Sequence, residues 1–447
     1  MGTGPTELQP GSRMQTAIFS ALLVLCLGAP CFAVAQEVED TEPAEETTEE
    51  TDGEVRVAAL LDADNTKDLH DDTTLLRNVG PLSDDGLVLF DALRIWMGGA
   101  IQYDYYNFDG IFNYTGEGTR REGAAMRRLE GTLRSQLFDW GEIKAQYDFD
   151  SGQFRDLYLR WVSELPDTPV TVTVGNQKEP FGMDNPYSNK FSLAQERSAP
   201  GDAFGSWRSQ GVRLHKAFQL QAGEHRLDAF RDDAAFVTTS VGIFTEDIES
   251  NHQTDIAVTG RITTGRAKDG VGRHLGFSAS YREGDFYRVS FKPEVREADR
   301  IILARPAANT LGQAGVEAAY NNGRLHLQAE ALYSEFAGRI NGYGAGGYLE
   351  AGWFLTDDRR TYNSRWGILA PHKPAGRYSL ELYGRLSHTR GDDDEDGWND
   401  YKAATIGTSL FYRRARGSLE ISYGEAREPI DEQSDGLAVT IRAQYLF

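Results

Sequence analysis

Cysteine, long apolar runs and basic residues are all scarce in this chain, and each shortage removes a class of protein. The two cysteines, Cys26 and Cys31, fall within the first 35 residues. That stretch reads as a secretory signal peptide, residues 1–35: Arg13 precedes the one long apolar run, Ala17 to Ala35, and Ala33-Val34-Ala35 before Gln36 is a small-x-small cleavage pattern. Gly28 and Pro30 inside the run argue against an anchor helix, and neither cysteine follows the small-residue pattern that lipidation needs. A mature chain beginning at Gln36 therefore has no thiol, so disulfides and thiolate chemistry are excluded. At 40% apolar residues and a mean hydropathy of −0.49, the chain is too polar for a bundle of membrane helices. With 46 Lys plus Arg against 68 Asp plus Glu and no basic stripe, it also lacks the main affinity term for nucleic acid.

Catalytic and cofactor motifs are missing too. There is no Gly-x-Ser-x-Gly, no His-Glu-x-x-His and no phosphate-cradling loop, and Gly342 to Gly347 reads as a flexible approach to a strand. The eight histidines show no metal-ligand spacing. The run Gly391 to Asp400 (GDDDEDGWND) has a calcium-loop composition but lacks a Glu twelve positions from its first Asp, so it reads as a solvated outer loop. No catalytic residue, metal ligand or cofactor is expected, although a barrel hydrolase with Ser, His and a carboxylate converging on one wall stays open.

Much of the acidity is local. Residues 37–92 hold 18 acidic and 3 basic residues, a net of −15, and residues 1–36 sum to zero, which leaves −7 of the total −22 for the remainder. The segment 36–92 cannot bury enough apolar surface to offset its chain entropy, so it is expected to be an acidic, largely disordered periplasmic spacer.

What is present, from Leu93 on, is alternation. Counting back from Phe447, Tyr445, Ala443, Ile441, Val439 and Leu437 share one face, and Leu446, Gln444, Arg442, Thr440 and Ala438 share the other. A period-two stripe of this length ending in an aromatic residue is how an outer-membrane barrel strand reads. The same pattern predicts strands at roughly 93–105, 126–137, 142–150, 154–162, 169–176, 209–218, 233–245, 254–263, 273–282, 313–321, 324–334, 345–356, 377–388, 401–412, 416–425 and 436–447. Residues 219–232 are assigned to a turn. The expected fold is all-β: a transmembrane antiparallel β-barrel of about 16 strands over residues 93–447. Closure is compulsory in lipid, where every unpaired backbone group costs several kcal/mol; a soluble β-sandwich would need a second sheet to cover its apolar stripes. With the N-terminus periplasmic, 138–141, 321–323 and 413–415 become tight inner turns, 177–208 and 283–312 long outer loops, and 357–376 a long inner turn. Tyr103, Tyr105, Trp140, Trp161, Tyr320, Tyr412, Tyr423 and Phe447 stand near strand ends, as interfacial girdles do.

Residues 127–211 carry a further pattern: RRLEGTLRSQLFDWGEIKAQYDFDSGQFRDLYLRW, then VTVGNQKEPFGMDNPYSNKFSLAQERS, then RSQG. The strand pair, the Gly-x-x-Lys-Glu-Pro-Phe-Gly segment and the Arg-containing aromatic loop after it resemble the phosphate-selective porin O and P family, and GGYLEAGWFLTDDRRTYN fits as well. The resemblance spans about residues 93–447. It implies a trimeric sixteen-stranded outer-membrane channel whose third and fifth outer loops and one long inner turn fold into the lumen, with basic side chains binding phosphate-like anions. Lys178 sits in the family motif. Alternation alone places Arg128, Arg134, Lys144, Arg160, Arg213, Arg261, Arg282 and Arg442 on the lumen face; Lys190, Arg197 and Arg208 fall in the first long loop, Lys292 and Arg296 in the second and Lys373 in the inner turn. Glu130, Asp148, Glu330, Glu381 and Glu420 share those faces, so each cation has a salt-bridge reading beside the anion-path reading. The expected function is an anion- or phosphate-selective diffusion channel. A broad-specificity porin and a structural or adhesive barrel remain as alternatives.

Overall fold

The computed structural model describes residues 87–90 and 93–447, apart from 138–140, 164–169, 185, 187, 207, 220–234, 247–253, 269–270, 364–365, 371, 373, 396 and 428–433. Sixteen strands form the barrel. They are β1 Leu93–Phe108, β2 Arg121–Leu137, β3 Gly141–Asp148, β4 Gln153–Ser163, β5 Val170–Lys178, β6 Arg208–Gln219, β7 Ala235–Phe244 and β8 Thr254–Lys268. The second half holds β9 Val271–Phe286, β10 Ala307–Asn322, β11 Leu325–Ile340, β12 Gly342–Phe354, β13 Tyr378–Asp393, β14 Gly397–Tyr412, β15 Ala415–Arg427 and β16 Ser434–Leu446. Each pairs antiparallel with its neighbours in sequence, and β1 closes the ring on β16 from Ala100↔Leu446 to Phe108↔Ala438. Phe447 extends that seam by exchanging backbone hydrogen bonds with Gly99 at 2.9 and 3.1 Å. A short strand, Leu87–Phe90, pairs back on the start of β1.

Every expected strand is found, and the two faces sort as the alternation requires. On β16 Leu437, Ile441 and Tyr445 are exposed outside while Thr440, Arg442 and Gln444 are buried inside. Tyr103, Tyr105, Tyr412, Tyr423 and Phe447 are likewise exposed on the exterior; Trp140 and most of the 219–232 turn lie outside the described residues. The strands run further than the sequence suggested at the end away from the termini. The acidic run 391–400 is therefore mostly paired strand rather than open loop, with Asp392 opposite Trp398 and Asp393 opposite Gly397. Gly342 to Gly347 is not an approach to a strand but the first half of β12.

Three inserts fill much of the lumen, as the family resemblance implied. The third loop, 179–207, carries a one-and-a-half-turn helix, α1 (Ala199–Phe204), capped by Ser198, whose hydroxyl accepts from the Gly201 amide. The fifth loop, 287–306, pairs Val289–Phe291 with Ile301–Ala304. Together they form an apolar plug at the loop end, with Phe112, Phe181, Phe204, Phe291, Leu303, Phe336 and Tyr401 buried in one cluster. The glycines of β12 make room for it: a Cβ on Gly344 would lie 2.1 Å from the Phe204 ring, and one on Gly346 2.7 Å from Pro200. From the opposite end the inner turn between β12 and β13 enters as a small hairpin, Tyr362–Asn363 against Ile368–Leu369.

The Lys-Glu-Pro-Phe-Gly segment is where the third loop leaves the wall, and each residue type has a reason. Glu179 is fully buried and accepts from Arg282, Ser209 and Thr259 at 2.6 Å each, tying the loop base to β9, β6 and β8. Phe181 enters the apolar plug. Gly182 has φ +67°, and a Cβ there would sit 2.0 Å from Glu330 Oε1; the same carboxylate accepts from the Met183 amide at 3.1 Å. Gly182→Ala should therefore cost about 1–3 kcal/mol, from strained backbone and the lost close approach together. Urea unfolding in detergent micelles checks this; an unchanged midpoint contradicts it.

Candidate functional site

The third loop is anchored at its base on β6, β8, β9 and β11, and further along on β13 to β16 and β2. Arg385 on β13 donates to the Glu196 carbonyl at 2.8 Å, and Arg416 on β15 donates to the carbonyls of Ser192 and Leu193 at 2.8 and 2.6 Å. On β16, Arg442 reaches the Gln195 carbonyl and Gln444 reaches that of Lys190 at 3.2 Å. In return the Gln195 amide donates to Glu420 of β15 at 2.5 Å. Irregular backbone cannot pair with itself, and wall side chains satisfy it here instead.

The clasp at the centre of this seam is Glu196. Its carboxylate takes two bonds from Arg127, at 2.5 and 2.8 Å, and one from Arg442 at 2.6 Å, while Arg442 also grips Asp104 with two bonds of 2.7 Å. Burial opposes charge on Glu196, but the Arg127 and Arg442 guanidiniums outweigh it and hold the carboxyl well below the usual carboxylate range. Arg127 reaches the lumen through a bulge: Gln102 pairs with Arg128 and Tyr103 with Met126, so Arg127 is the extra residue and turns inward. Simple alternation pointed it outward, and the sequence reading missed it.

The fifth loop and the inner turn are tied in the same way. Glu294 is held in a left-handed conformation at φ +60°, and accepts from Arg385 at 2.7 Å, Ser387 at 2.5 Å and the Ala199 amide at 2.9 Å. In the inner turn, Arg360 forms a two-bond pair with Glu381 at 2.8 and 3.0 Å, and Tyr362 meets His274 at 2.7 Å. Trp366 stacks flat on His215 at 4.0 Å, with the Arg160 guanidinium 5.4 Å from the Trp366 ring and 4.9 Å from the Tyr158 ring.

This arrangement divides the cations expected along the path into two groups. The first is neutralised. Arg128 and Lys190 share Glu130 at 2.5 and 3.0 Å, Arg261 pairs with Glu317 at 2.5 Å, Arg282 with Glu179 at 2.6 Å, and Arg442 belongs to the clasp. Arg134 stands 3.7 Å from Glu142. Arg128–Glu130 and Arg134–Glu142 are local in sequence; the other partners come from distant strands or from the inserts. Glu130, Glu381 and Glu420 are likewise engaged rather than facing open water.

The second group lies on β3 to β6, bordered by Ser188 of the third loop and Trp366 of the inner turn. Lys144, Arg160, Lys178, Arg208 and Arg213, from β3 to β6, line one recess in which Asp156 is the one carboxylate among the described residues. Asp156 takes Lys144 at 2.9 Å and Arg208 at 2.8 Å. Arg160 Nη1 lies 3.3 Å from Glu142 and its Nη2 donates to Tyr158, yet its Nε and Nη1, like Nε of Arg213, are buried with no hydrogen-bond partner among the described residues. Toward the loop end, Arg197, Lys292, Arg296, Arg127 and Arg300 surround a cavity of about 90 Å³ that also carries Glu196, Asp202 and Glu294. Lys373 lies outside the described residues. Positive charge held beside a low-dielectric wall raises the local concentration of anions and rejects cations. Unspent guanidinium donors can bind oxyanions with two parallel bonds.

Comparison with known proteins agrees with this architecture. The family model described as "Phosphate-selective porin O and P" matches residues 95–447. Porin O of Pseudomonas aeruginosa is 23% identical over 407 residues, covering 78% of this chain and 88% of that protein. An uncharacterised protein of Caulobacter vibrioides is 29% identical over 273 residues, covering 57% of this chain but only 52% of its own length. Among solved structures, the in-vitro folded outer-membrane protein OmpT of Vibrio cholerae superposes with a TM-score of 0.50 at 11% identity, over 81% of this chain and 99% of that one, which bears on the fold alone. The chain belongs to the phosphate-selective porin O and P family, and residues 93–447 are its outer-membrane channel barrel.

Proposed function

We propose that the protein is a passive diffusion channel selective for anions, with phosphate-type oxyanions as the solutes that bind along the way. One observation carries this reading: the recess on β3 to β6 gathers five cations around Asp156, and two of them, Arg160 and Arg213, have buried nitrogens with no hydrogen-bond partner among the described residues. An anion entering from the loop end would meet Arg197, Lys292 and Arg296 first and then Lys178, Arg208, Arg213, Lys144 and Arg160. Export through the signal peptide, the acidic segment 36–92 as a periplasmic spacer and assembly as a homotrimer in outer-membrane lipid belong to the same proposal. Chemical cross-linking of whole cells, followed by mass measurement, tests the trimer.

A channel with little charge preference is the competing reading, favoured by the residual −7 of the chain beyond residue 92. Reversal potentials across a planar bilayer under a KCl gradient separate the two. Wild-type current should be carried mainly by chloride and be blocked by millimolar phosphate. Arg213→Glu should lower the anion-to-cation permeability ratio by roughly tenfold, since reversing one charge in a focused field is worth more than 1 kcal/mol. Arg261→Gln, which removes a cation already spent on Glu317, should move it far less. Equal effects of the two substitutions would sink the proposal.

The Glu196 clasp makes a separate prediction about pH. Its carboxyl titrates lower in the folded protein than in the unfolded chain, so its contribution to seating the loop is complete above the ordinary carboxylate range and is lost as pH falls through the depressed folded value. Single-channel conductance should stay steady from pH 7 to about 5 and become noisy only well below the ordinary glutamate value of about 4.3. Glu196→Gln should show that noise already at pH 7. Steady current from Glu196→Gln under neutral conditions would show that the clasp does not hold the loop.

A further inference from the structure

The outer surface of the barrel is not a uniform apolar band. A groove of about 860 Å³ runs across the exterior from β9 to β15. Its floor is made of residues with little or no side chain, namely Ala318, Ala329, Ala331, Gly347 and Ala404. Leu275, Leu349 and Leu386 form its banks and are each more than half exposed. At an interstrand spacing of about 4.8 Å, crossing from β9 to β15 gives it a length on the order of 29 Å.

Its two ends differ in chemistry. On β9 to β11 the groove lies inside the apolar band: its residues Leu275, Val316 and Ala331 are followed toward the loop end by Phe277, Ala314 and Tyr333 on the same face. On β13 to β15 it leaves that band. Outward-facing Leu386 is followed by His388, Ala404 by Lys402 and Tyr423 by Glu425, and His388 and Lys402 are directly opposite each other on adjacent strands. Both side chains line the groove and both are more than half exposed. They share Asp400, at 2.5 Å from His388 and 3.8 Å from Lys402, so the lysine is held only loosely. Glu425, directly opposite Lys402 on β15, also lines the groove and is paired with Arg427 at 3.6 Å.

We propose that this groove is a binding site for one membrane lipid of anionic phosphate headgroup. An acyl chain would lie over the alanine and glycine floor, and the headgroup would rest on Lys402 and His388 at the loop-end rim. An acyl chain fits a trough lined by small side chains because it fills space that lipid packed against bulky residues would leave void. A phosphate at the rim would meet cations where the apolar band ends, which is where basic residues recognise headgroups. The site lies on the outside of the wall, so it is separate from the anion path.

Native mass spectrometry of the delipidated channel, titrated with phosphatidylglycerol or with phosphatidylcholine of identical chains, tests this. One phosphatidylglycerol per protomer should be retained, in preference to phosphatidylcholine. Lys402→Glu combined with His388→Gln should weaken retention roughly fivefold or more. Ala331→Phe and Ala404→Phe, which fill the groove from outside, should abolish it. Single-channel conductance should be unchanged in all of these, which establishes that each variant has folded. Equal retention of the two lipids would overturn the proposal, as would groove-filled variants that keep phosphatidylglycerol. If Ala404→Phe instead disperses an oligomer while lipid retention is unaltered, the occupant is a second copy of the chain and the proposal fails.

Discussion

The structure depends on how one strand of irregular backbone is held inside a sealed cylinder. Closing sixteen strands satisfies the wall, but the third loop brings a stretch of carbonyls and amides into the lumen with no ladder to join. Arg385, Arg416, Arg442 and Gln444 supply the donors, and the Arg127–Glu196–Arg442–Asp104 cluster fixes the register. Breaking one partner of such a buried pair costs about 3–5 kcal/mol, whereas forming it gives a much smaller net gain. Its main effect is specificity: it fixes where the stretch from Lys190 to Glu196 rests against β13 to β16 and β2.

The proposed anion preference rests on that placement. Arginine and lysine occur all round the inner wall, and what distinguishes them is the company they keep. Those beneath the inserts are matched with carboxylates and act as fasteners, as Arg282 does with Glu179 and Arg261 with Glu317. Those on β3 to β6 gather in one recess around Asp156, with Glu142 beside Arg160. A chain with a net charge of −22 can in this way present a positive path. The sum of charges says little about the field where the solute passes; the pairing says more.

The alternation of side chains was enough to find every strand, because lipid on one face and water on the other impose a period of two. It failed where that contrast fades. Beyond the apolar band both faces are polar, so β13 was expected to end near residue 388 and extends to Asp393, and the acidic run after it looked like a loop. The bulge that turns Arg127 inward breaks the period locally and left no sign in the pattern. The basic candidates on the lumen face were legible. Which of them are spent was not, because partners such as Glu196 and Arg442 lie 246 residues apart and meet only once the loop has folded in. Glu179 and Gly182 were visible within a family motif, but the reasons for them, a buried arginine and a glutamate pressed against the backbone, belong to the tertiary structure.

The claim at the centre of this account is that cations paired with carboxylates or bound to the inserts are spent, while those in the β3 to β6 recess meet solute. The scarcity of cysteine makes it directly measurable, since Cys26 and Cys31 both precede Gln36 and a chain starting there has no thiol of its own. Single cysteines replacing Arg213 and Lys144 in the β3 to β6 recess, and Arg261 and Arg416, which bind the inner turn and the third loop, can be exposed to a negatively charged methanethiosulfonate reagent during bilayer recording. The account predicts rapid modification and a fall in current at Arg213 and Lys144, with little or none at Arg261 and Arg416. Equal modification of the two sets, or faster reaction at Arg261 and Arg416, would contradict it.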